Sequence, residues 1–211
     1  MDSRIDFPRL LIDQRRLVES LTMDNRVLLN HQEKHYLRRV LRLKKDDFIL
    51  VVDGLGHLWK ASLHEFNSIQ LTSTFEDPFI EQPRPQTLVC LAVVLPKRGF
   101  EDVLRMGCEI GVDIFQPLTS EYRVHKGNME DKYSRWISIL KEAVEQSERL
   151  WMPELRKNIA FEHWLKSYSL DAATAFATTR QERSTEFITW MKSLKQGIEE
   201  ISIAIGPEGG W

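Results

Sequence analysis

The chain has little of what builds covalent or metal-held scaffolds. Among 211 residues there are two cysteines, Cys90 and Cys108, far apart and without histidine at metal-ligand spacing. No zinc site is readable, and buried reduced thiols are expected. No run of 18 apolar residues occurs, so no membrane-spanning helix is expected and no membrane partner is implied. The opening Met1-Asp-Ser-Arg-Ile-Asp6 lacks the basic-then-apolar pattern of a secretory signal, and a cytoplasmic location is expected. The six histidines are scattered singly with no acid at motif spacing, and they read as ordinary surface or core residues. Neither a P-loop nor a G-x-G-x-x-G turn is present. A nucleotide-dependent oxidoreductase on a Rossmann-like sheet is disfavoured, because the glycine-rich loop follows the last strand and not the first.

An excess of one sign of charge is small overall but not locally. The net charge is −2, yet residues 1–45 hold 11 Lys+Arg against 6 Asp+Glu, leaving about +5 there. A basic module joined to a neutral or acidic one makes a polyanion partner plausible. Arg38, Arg39, Arg42, Lys44 and Lys45 crowd the end of one expected helix, His31–Leu41. That cluster reads either as a phosphate-binding face or as a solvated helix end that favours the negative pole of the helix dipole.

Residues 1–75 read as a small β-rich domain. Pro8–Ile12 is expected as its first strand, and Ile69–Phe75 as a later one. Phe48–Val52 and Leu58–Leu63 flank the turn signal Asp53-Gly54-Leu55-Gly56, which predicts a hairpin. Residues 76–86 carry three prolines in eleven positions and no periodicity, the composition of a linker.

From residue 87 to 211 strand and helix alternate. The expected order is strand Thr87–Leu95, helix Phe100–Ile110 capped by Gly111, strand Ile114–Leu118, helix Lys132–Ser147, a short helix Phe161–Tyr168, strand Ala172–Ala177, helix Thr185–Lys195 and strand Ile201–Ile205. That rhythm predicts a doubly wound α/β sheet with parallel strands. At 100° per residue the helix Lys132–Ser147 puts Tyr133, Trp136, Ile137, Leu140 and Val144 on one face. Glu142, Gln146 and Arg149 fall opposite, as a solvated stripe or as the face toward a partner subunit or substrate cleft. The last strand runs into Gly206-Pro207-Glu208-Gly209-Gly210, whose backbone is free to approach a ligand at the carboxyl end of the sheet.

Several of these residues recur in one order: Leu95-Pro-Lys97, Glu109-Ile-Gly-Val112, Pro117 with Ser120-Glu121, Glu142-Ala-Val-Glu-Gln146 with Arg149 and Pro153, and Ile205-Gly-Pro-Glu-Gly-Gly210. That order resembles the ribosomal small-subunit RNA methyltransferase family E, which methylates N3 of a uridine in 16S rRNA. Leu37 with Val40-Leu-Arg42, then Asp53-Gly54, is similar to that family's N-terminal PUA-like domain. The resemblance implies a small PUA-like β-barrel RNA-binding domain followed by a SPOUT-class α/β methyltransferase domain with a trefoil knot. It further implies S-adenosyl-L-methionine as methyl donor, 16S rRNA of the small ribosomal subunit as substrate, no metal, and a homodimer with active sites at the subunit interface. Ile205, Gly206, Pro207, Glu208, Gly209 and Gly210 would form the cofactor loop. Arg9, Arg38, Arg39 and Arg42 would face RNA.

For the chemistry, Arg149 or Arg123 would stabilise charge on the uracil oxygens, and Glu142 or Glu121 would accept the N3 proton. The family commonly carries Ser-Glu-Arg where this chain has Ser120-Glu121-Tyr122, with Arg123 one place later. The family's chains also run on past the glycine loop. A chain that stops at Trp211, at the knot, is expected to bind S-adenosylmethionine poorly and not to methylate RNA. The other reading is an RNA-binding dimerisation module without chemistry.

Overall fold

The computed structural model describes residues 7–64, 67–119, 129–167, 173–178 and 185–206. By contact density the chain divides into two units, Met1–Arg84 with Val144–Met152, and Pro85–Ala143 with Pro153–Trp211.

In the first unit the elements are β1 (Arg9–Leu11), α1 (Gln14–Ser20), β2 (Arg26–Leu28), α2 (His31–His35), β3 (Phe48–Val52), β4 (His57–Leu63), β5 (Ser68–Leu71) and β6 (Ile80–Glu81). The sheet order is β1-β3-β4-β5-β2. Along one edge β4 pairs with β3; along the other it meets β6 at its start and β5 at its end. Alternation turns Leu10, Ile49, Val51, Trp59, Ala61, Leu63, Ile69 and Val27 into a single core, closed by Leu17 and Leu37 from the helices. Trp59 stacks on Phe75 at 5.2 Å and donates its indole N–H to the Phe75 carbonyl.

The start of α2 is held by a capping box. The Asn30 side chain accepts from the Glu33 amide at 2.9 Å, and the Glu33 carboxylate accepts from the Asn30 amide at 2.7 Å. The expected helix over His31–Leu41 is nevertheless α-helical only to His35. Tyr36–Val40 forms a π-helical turn, in which the Leu41 amide reaches the Tyr36 carbonyl five residues back at 2.9 Å. Short elements left no periodic signature. β2 is three residues long, and α1 buries only Leu17, although Asp13 caps it by accepting from the Arg16 amide. The strand expected over Ile69–Phe75 is paired only as Ser68–Leu71, and within the proline-rich 76–86 the residues Ile80–Glu81 form β6.

The hairpin turn is built on a buried anion. The Asp53 carboxylate accepts from the amides of Leu55 (2.8 Å) and His57 (3.1 Å) and lies 2.6 Å from His57 Nδ1. Gly54 and Gly56 both take positive φ, 76° and 98°. A Cβ on Gly56 would collide with the Gln82 carbonyl and lie 2.8 Å from the Trp151 ring. Segment 144–152 lies against this turn. The Gly56 amide donates to the Leu150 carbonyl (3.0 Å), the Met152 amide to the Gly54 carbonyl (2.9 Å), and Trp151 Nε1 to the Gln82 carbonyl (3.1 Å).

The second unit contains β7 (Leu88–Val94), α3 (Phe100–Glu109), β8 (Ile114–Thr119), α4 (Met129–Gln146), β9 (Glu154–Leu155), β10 (Ile159–Ala160), α5 (Phe161–Ser167), β11 (Ala173–Ala177), α6 (Phe187–Ser193) and β12 (Glu200–Ile205). The last residues of α4, from Val144, belong to the first unit. All strand pairs are parallel, in the order β10-β8-β7-β12-β11, with β9 also on β8. The near-continuous apolar run of β7 reflects burial on both faces. One face packs Ala92, Val94, Leu118 and Ala204 under Trp164 of α5. On the other, Phe115 lies where a Cβ on Gly107 would meet it at 2.7 Å, so glycine lets α3 close on β8. Gly111, at φ 101°, follows the end of α3 as the cap signal predicts. The two-residue strands β9 and β10 had no legible signal. Among the described residues no helix is long and apolar enough to cross a membrane, and no cluster of three or more His, Cys, Asp or Glu is arranged to hold a metal.

Two outcomes test this packing. Gly56→Ala forces a β-carbon into an unfavourable backbone region and against carbonyl and ring. A loss of about 2–4 kcal/mol in urea denaturation is expected; an unchanged midpoint would remove the turn from its central place. Both cysteines are buried, and burial pushes the Cys90 thiol up to about 12, with the Ser202 hydroxyl bond pulling weakly the other way. The native protein should therefore show no fast reaction with Ellman's reagent at pH 8. Because the folded pKa is raised, the stability contributed by the Cys90 thiol is whole below its ordinary value near 9 and is lost as pH climbs towards 12. Rapid native labelling would contradict this.

Candidate functional site

Parallel pairing sets the carboxyl ends of three strands side by side in the second unit. Val93 is in register with Pro117 on one side and with Ile205 on the other. Chain direction therefore delivers Leu95, Thr119 and Gly206 to the same edge of the sheet, where open α/β folds bind ligands. β7 leaves the sheet at Leu95, whose amide donates to the Leu118 carbonyl at 2.9 Å. Pro96 breaks the strand, and Gly99, at φ 83°, starts α3. Between this turn and α4 lies a pocket of about 270 Å³ lined by Leu95, Lys97, Arg98, Lys132 and Trp136. Trp136 closes it edge-on to Phe100 at 4.7 Å, and Arg135 ties α4 to α3 through Glu101 at 2.6 Å. Glu101 and Asp102 also line it, each ion-paired to an arginine, so the Trp136 wall stands among Lys97, Arg98 and Lys132 and two carboxylates, a mixed polar rim around one aromatic face.

Of the expected cofactor loop, Ile205 ends β12 with 40% of its surface exposed, while its neighbour Ala204 is fully buried. Gly206 follows, half-buried. Pro207, Glu208, Gly209 and Gly210 lie outside the described residues, as do Ser120, Glu121, Tyr122 and Arg123. An exposed apolar side chain beside a residue without Cβ suits the apolar face of a nucleoside cofactor and close approach of its polar part to backbone.

The Glu142–Gln146 motif divides by role. Ala143 and Val144 are buried, Glu142 and Gln146 are exposed on α4. Glu145 accepts the Leu11 amide at 2.7 Å, inside the first unit. Arg149, half-buried, follows α4 in the segment held by the first unit, its amide bonded to the Val144 carbonyl at 3.2 Å. Arg9 is tied to the same segment by its side chain. Its guanidinium donates to the Glu148 carbonyl (2.8 Å) and carboxylate (3.0 Å), and only 14% of its side chain is exposed. The sequence marked Arg9 as a cation and gave no sign of Glu148, 139 residues away.

The first unit has a second concavity, about 820 Å³, which periodicity did not reveal. Its lining includes Arg26, Arg38, Lys45, His64, Asp24 and Asn67. Arg26 and Leu28 alternate outward from β2 while Val27 points to the core. The π-helical turn separates the arginines that the sequence grouped together: Arg38 lines the groove, whereas Arg39 is exposed and Arg42, at φ 57°, stands outside the lining. Arg26, the cation missed in the sequence, is steered by its bond from Nε to Gln70 Oε1 at 3.2 Å.

Known proteins share both halves of this arrangement. Residues 82–211 match the family model described as an RNA methyltransferase domain, and residues 29–76 match the RNA methyltransferase PUA domain. The chain is 34% identical over 206 residues to ribosomal RNA small subunit methyltransferase E of Synechocystis sp., covering 96% of this chain and 64% of that protein. It is 25% identical over 186 residues to the Rickettsia conorii protein of the same name, covering 87% and 72%. Its fold matches the crystal structure of ribosomal RNA small subunit methyltransferase E from Neisseria gonorrhoeae bound to S-adenosyl methionine. There the TM-score is 0.76 at 20% identity, over 97% of this chain and 81% of that one. The chain thus spans about two thirds of the length of its Synechocystis relative. The fold is that of a PUA-like domain followed by a SPOUT-class α/β methyltransferase domain. With more than half of its residues in the matched region, this chain belongs to the RNA methyltransferase domain family.

Proposed function

We propose that the protein is an S-adenosyl-L-methionine-dependent methyltransferase that modifies N3 of a uridine in 16S rRNA, acting as a cytoplasmic homodimer. The observation that carries this reading is the family match over residues 82–211, laid on a parallel sheet whose last strand ends in Ile205-Gly206. The two relatives named ribosomal RNA small subunit methyltransferase E favour small-subunit rRNA as the substrate. The solved neighbour's bound S-adenosyl methionine favours the donor. In this reading residues 1–75 are the RNA-binding domain, 76–86 the linker and 87–211 the methyltransferase domain.

When bound, S-adenosylmethionine supplies an electrophilic methyl group on a sulfonium whose leaving thioether is neutral, so no acid is needed. The protein must hold the uracil in near-attack geometry and lower the cost of losing the N3 proton. Ile205 and Gly206, continuing into Pro207–Gly210, would cradle the donor. Arg149 or Arg123 would stabilise the charge that spreads onto the uracil oxygens, and Glu142 would accept the proton. Arg38, Arg39 and Arg42 would meet RNA phosphate, with Arg9 holding segment 144–152 in place through Glu148.

The test is nucleoside mass analysis of 16S rRNA after incubation with the full-length protein and methyl-labelled S-adenosylmethionine. Label in 3-methyluridine is expected, and Glu142→Gln should slow its appearance by about 10²–10⁴-fold if this side chain takes the proton. RNA binding without methyl transfer would leave only a binding module. Methylation at undiminished rate in the variant would take Glu142 out of the chemistry.

A further inference from the structure

We propose that the groove of the first unit between β2, the π-helical turn and the β4–β5 connection is a seat for single-stranded RNA, distinct in position from the arginines that stand outside it. The proposal rests on the reading of the protein as an RNA methyltransferase and adds where, and in what form, the RNA is held.

Four separate stretches supply its wall: Arg26 and Leu28 from β2, Arg38 from the π-helical turn, Lys45 before β3, and His64 with Asn67 and Ser68 from the connection and the start of β5. A volume of about 820 Å³ is at the upper end of ligand clefts and exceeds what a single small anion needs. Three permanent cations, Arg26, Arg38 and Lys45, face one carboxylate, Asp24. A compact polyanion gains nothing from that carboxylate. A nucleotide strand does, because its phosphates are separated from base edges that carry N–H donors, which Asp24 can accept. Asn67, Thr22 and Ser68 add neutral donors and acceptors suited to a ribose hydroxyl or a base edge. Leu28, 52% exposed at the lip, gives an apolar surface for a base face.

The backbone explains why these groups converge. β2 ends the order of the sheet and pairs with β5 in register Arg26↔Gln70 and Leu28↔Ser68, with a single bridge from Val27 to Leu21 on its other side, so the outward side chains of β2 and β5 share one floor. In an uninterrupted α-helix Arg38 and Arg42 would sit one turn apart on the same face. The extra residue of the π-helical turn and the left-handed Arg42 break that alignment, and Arg38 lines the groove without Arg42. A π-helical turn costs hydrogen-bond geometry and is often kept at functional sites. Here it places a cation.

The experiment is fluorescence anisotropy of the full-length protein with a 5′-labelled 12-mer oligouridylate and a mixed-sequence 12-mer, from 50 to 300 mM KCl. The double variant Arg26→Ala/Lys45→Ala should weaken binding at least tenfold at low salt and flatten the log–log salt slope by about 1.4, two contacts at about 0.7 each for a single strand. Arg26→Lys, which keeps the charge, should retain the slope, and Arg15→Ala, an exposed cation on α1, should change neither quantity. Thermal melting of each variant separates lost binding from lost folding, since Arg26 also bonds Gln70. If the parent binds the 12-mers and the folded double variant binds with the same slope, the groove is overturned while the RNA reading stands. If an RNA duplex displaces the 12-mer more strongly than free single strand does, the single-strand seat is overturned. If the parent binds no RNA at all, the underlying reading fails with it.

Discussion

The buried carboxylate of Asp53 is the point on which the first unit turns. Its side chain is fully enclosed, and a desolvated anion persists in such a place only when donors surround it. Two backbone amides and the His57 ring provide them. With the anion satisfied, Gly54 and Gly56 hold backbone angles that other residues resist, and their free amide and carbonyl groups face outward. Those groups are taken up by Leu150, Met152 and Gln82, so a single turn gathers the β3–β4 hairpin, the proline-rich stretch and the segment following α4. Arg9 with Glu148 and Glu145 with the Leu11 amide add further bonds between the start of the chain and that segment.

Part of the signature that suggested catalysis therefore has a mechanical role. In Glu142–Gln146 the middle residues are buried and Glu145 is occupied by backbone, leaving Glu142 and Gln146 in solvent. Charge shows the same division between appearance and use. The excess of cations in residues 1–45 is real, but Arg9 and Arg16 are held by Glu148 and Glu33, and Arg15 pairs with Glu19 on its own helix. Arg26, Arg38 and Lys45, by contrast, line one groove.

Elements of five residues or more in the second unit were legible because burial imposes a period. Phe100–Ile110 and Lys132–Ser147 agree with α3 and α4 to within a few residues, and the buried stripe of Trp136, Leu140 and Val144 is the one the 100° spacing requires. Ile139 and Ala143 widen that stripe. The strands that escaped notice, β2, β6, β9 and β10, are two or three residues long. At that length no alternation can be counted, and pairing is decided by the neighbouring strand.

The sequence by itself determined the α/β alternation, the Asp53–Gly56 hairpin, the buried thiols and the glycine-ended last strand, together with the family these motifs point to. Each depends on neighbours within a few positions, where spacing and residue type are sufficient. Tertiary structure alone decided that segment 144–152 belongs with the first unit, that Arg9 answers Glu148, and that Arg26 joins Arg38 and Lys45 around one groove. Those outcomes require residues distant in sequence to meet after edge strands pair and a helix takes up a π-helical turn. Local periodicity carries no information about such meetings, because the free energy that selects them comes from long-range pairing and burial.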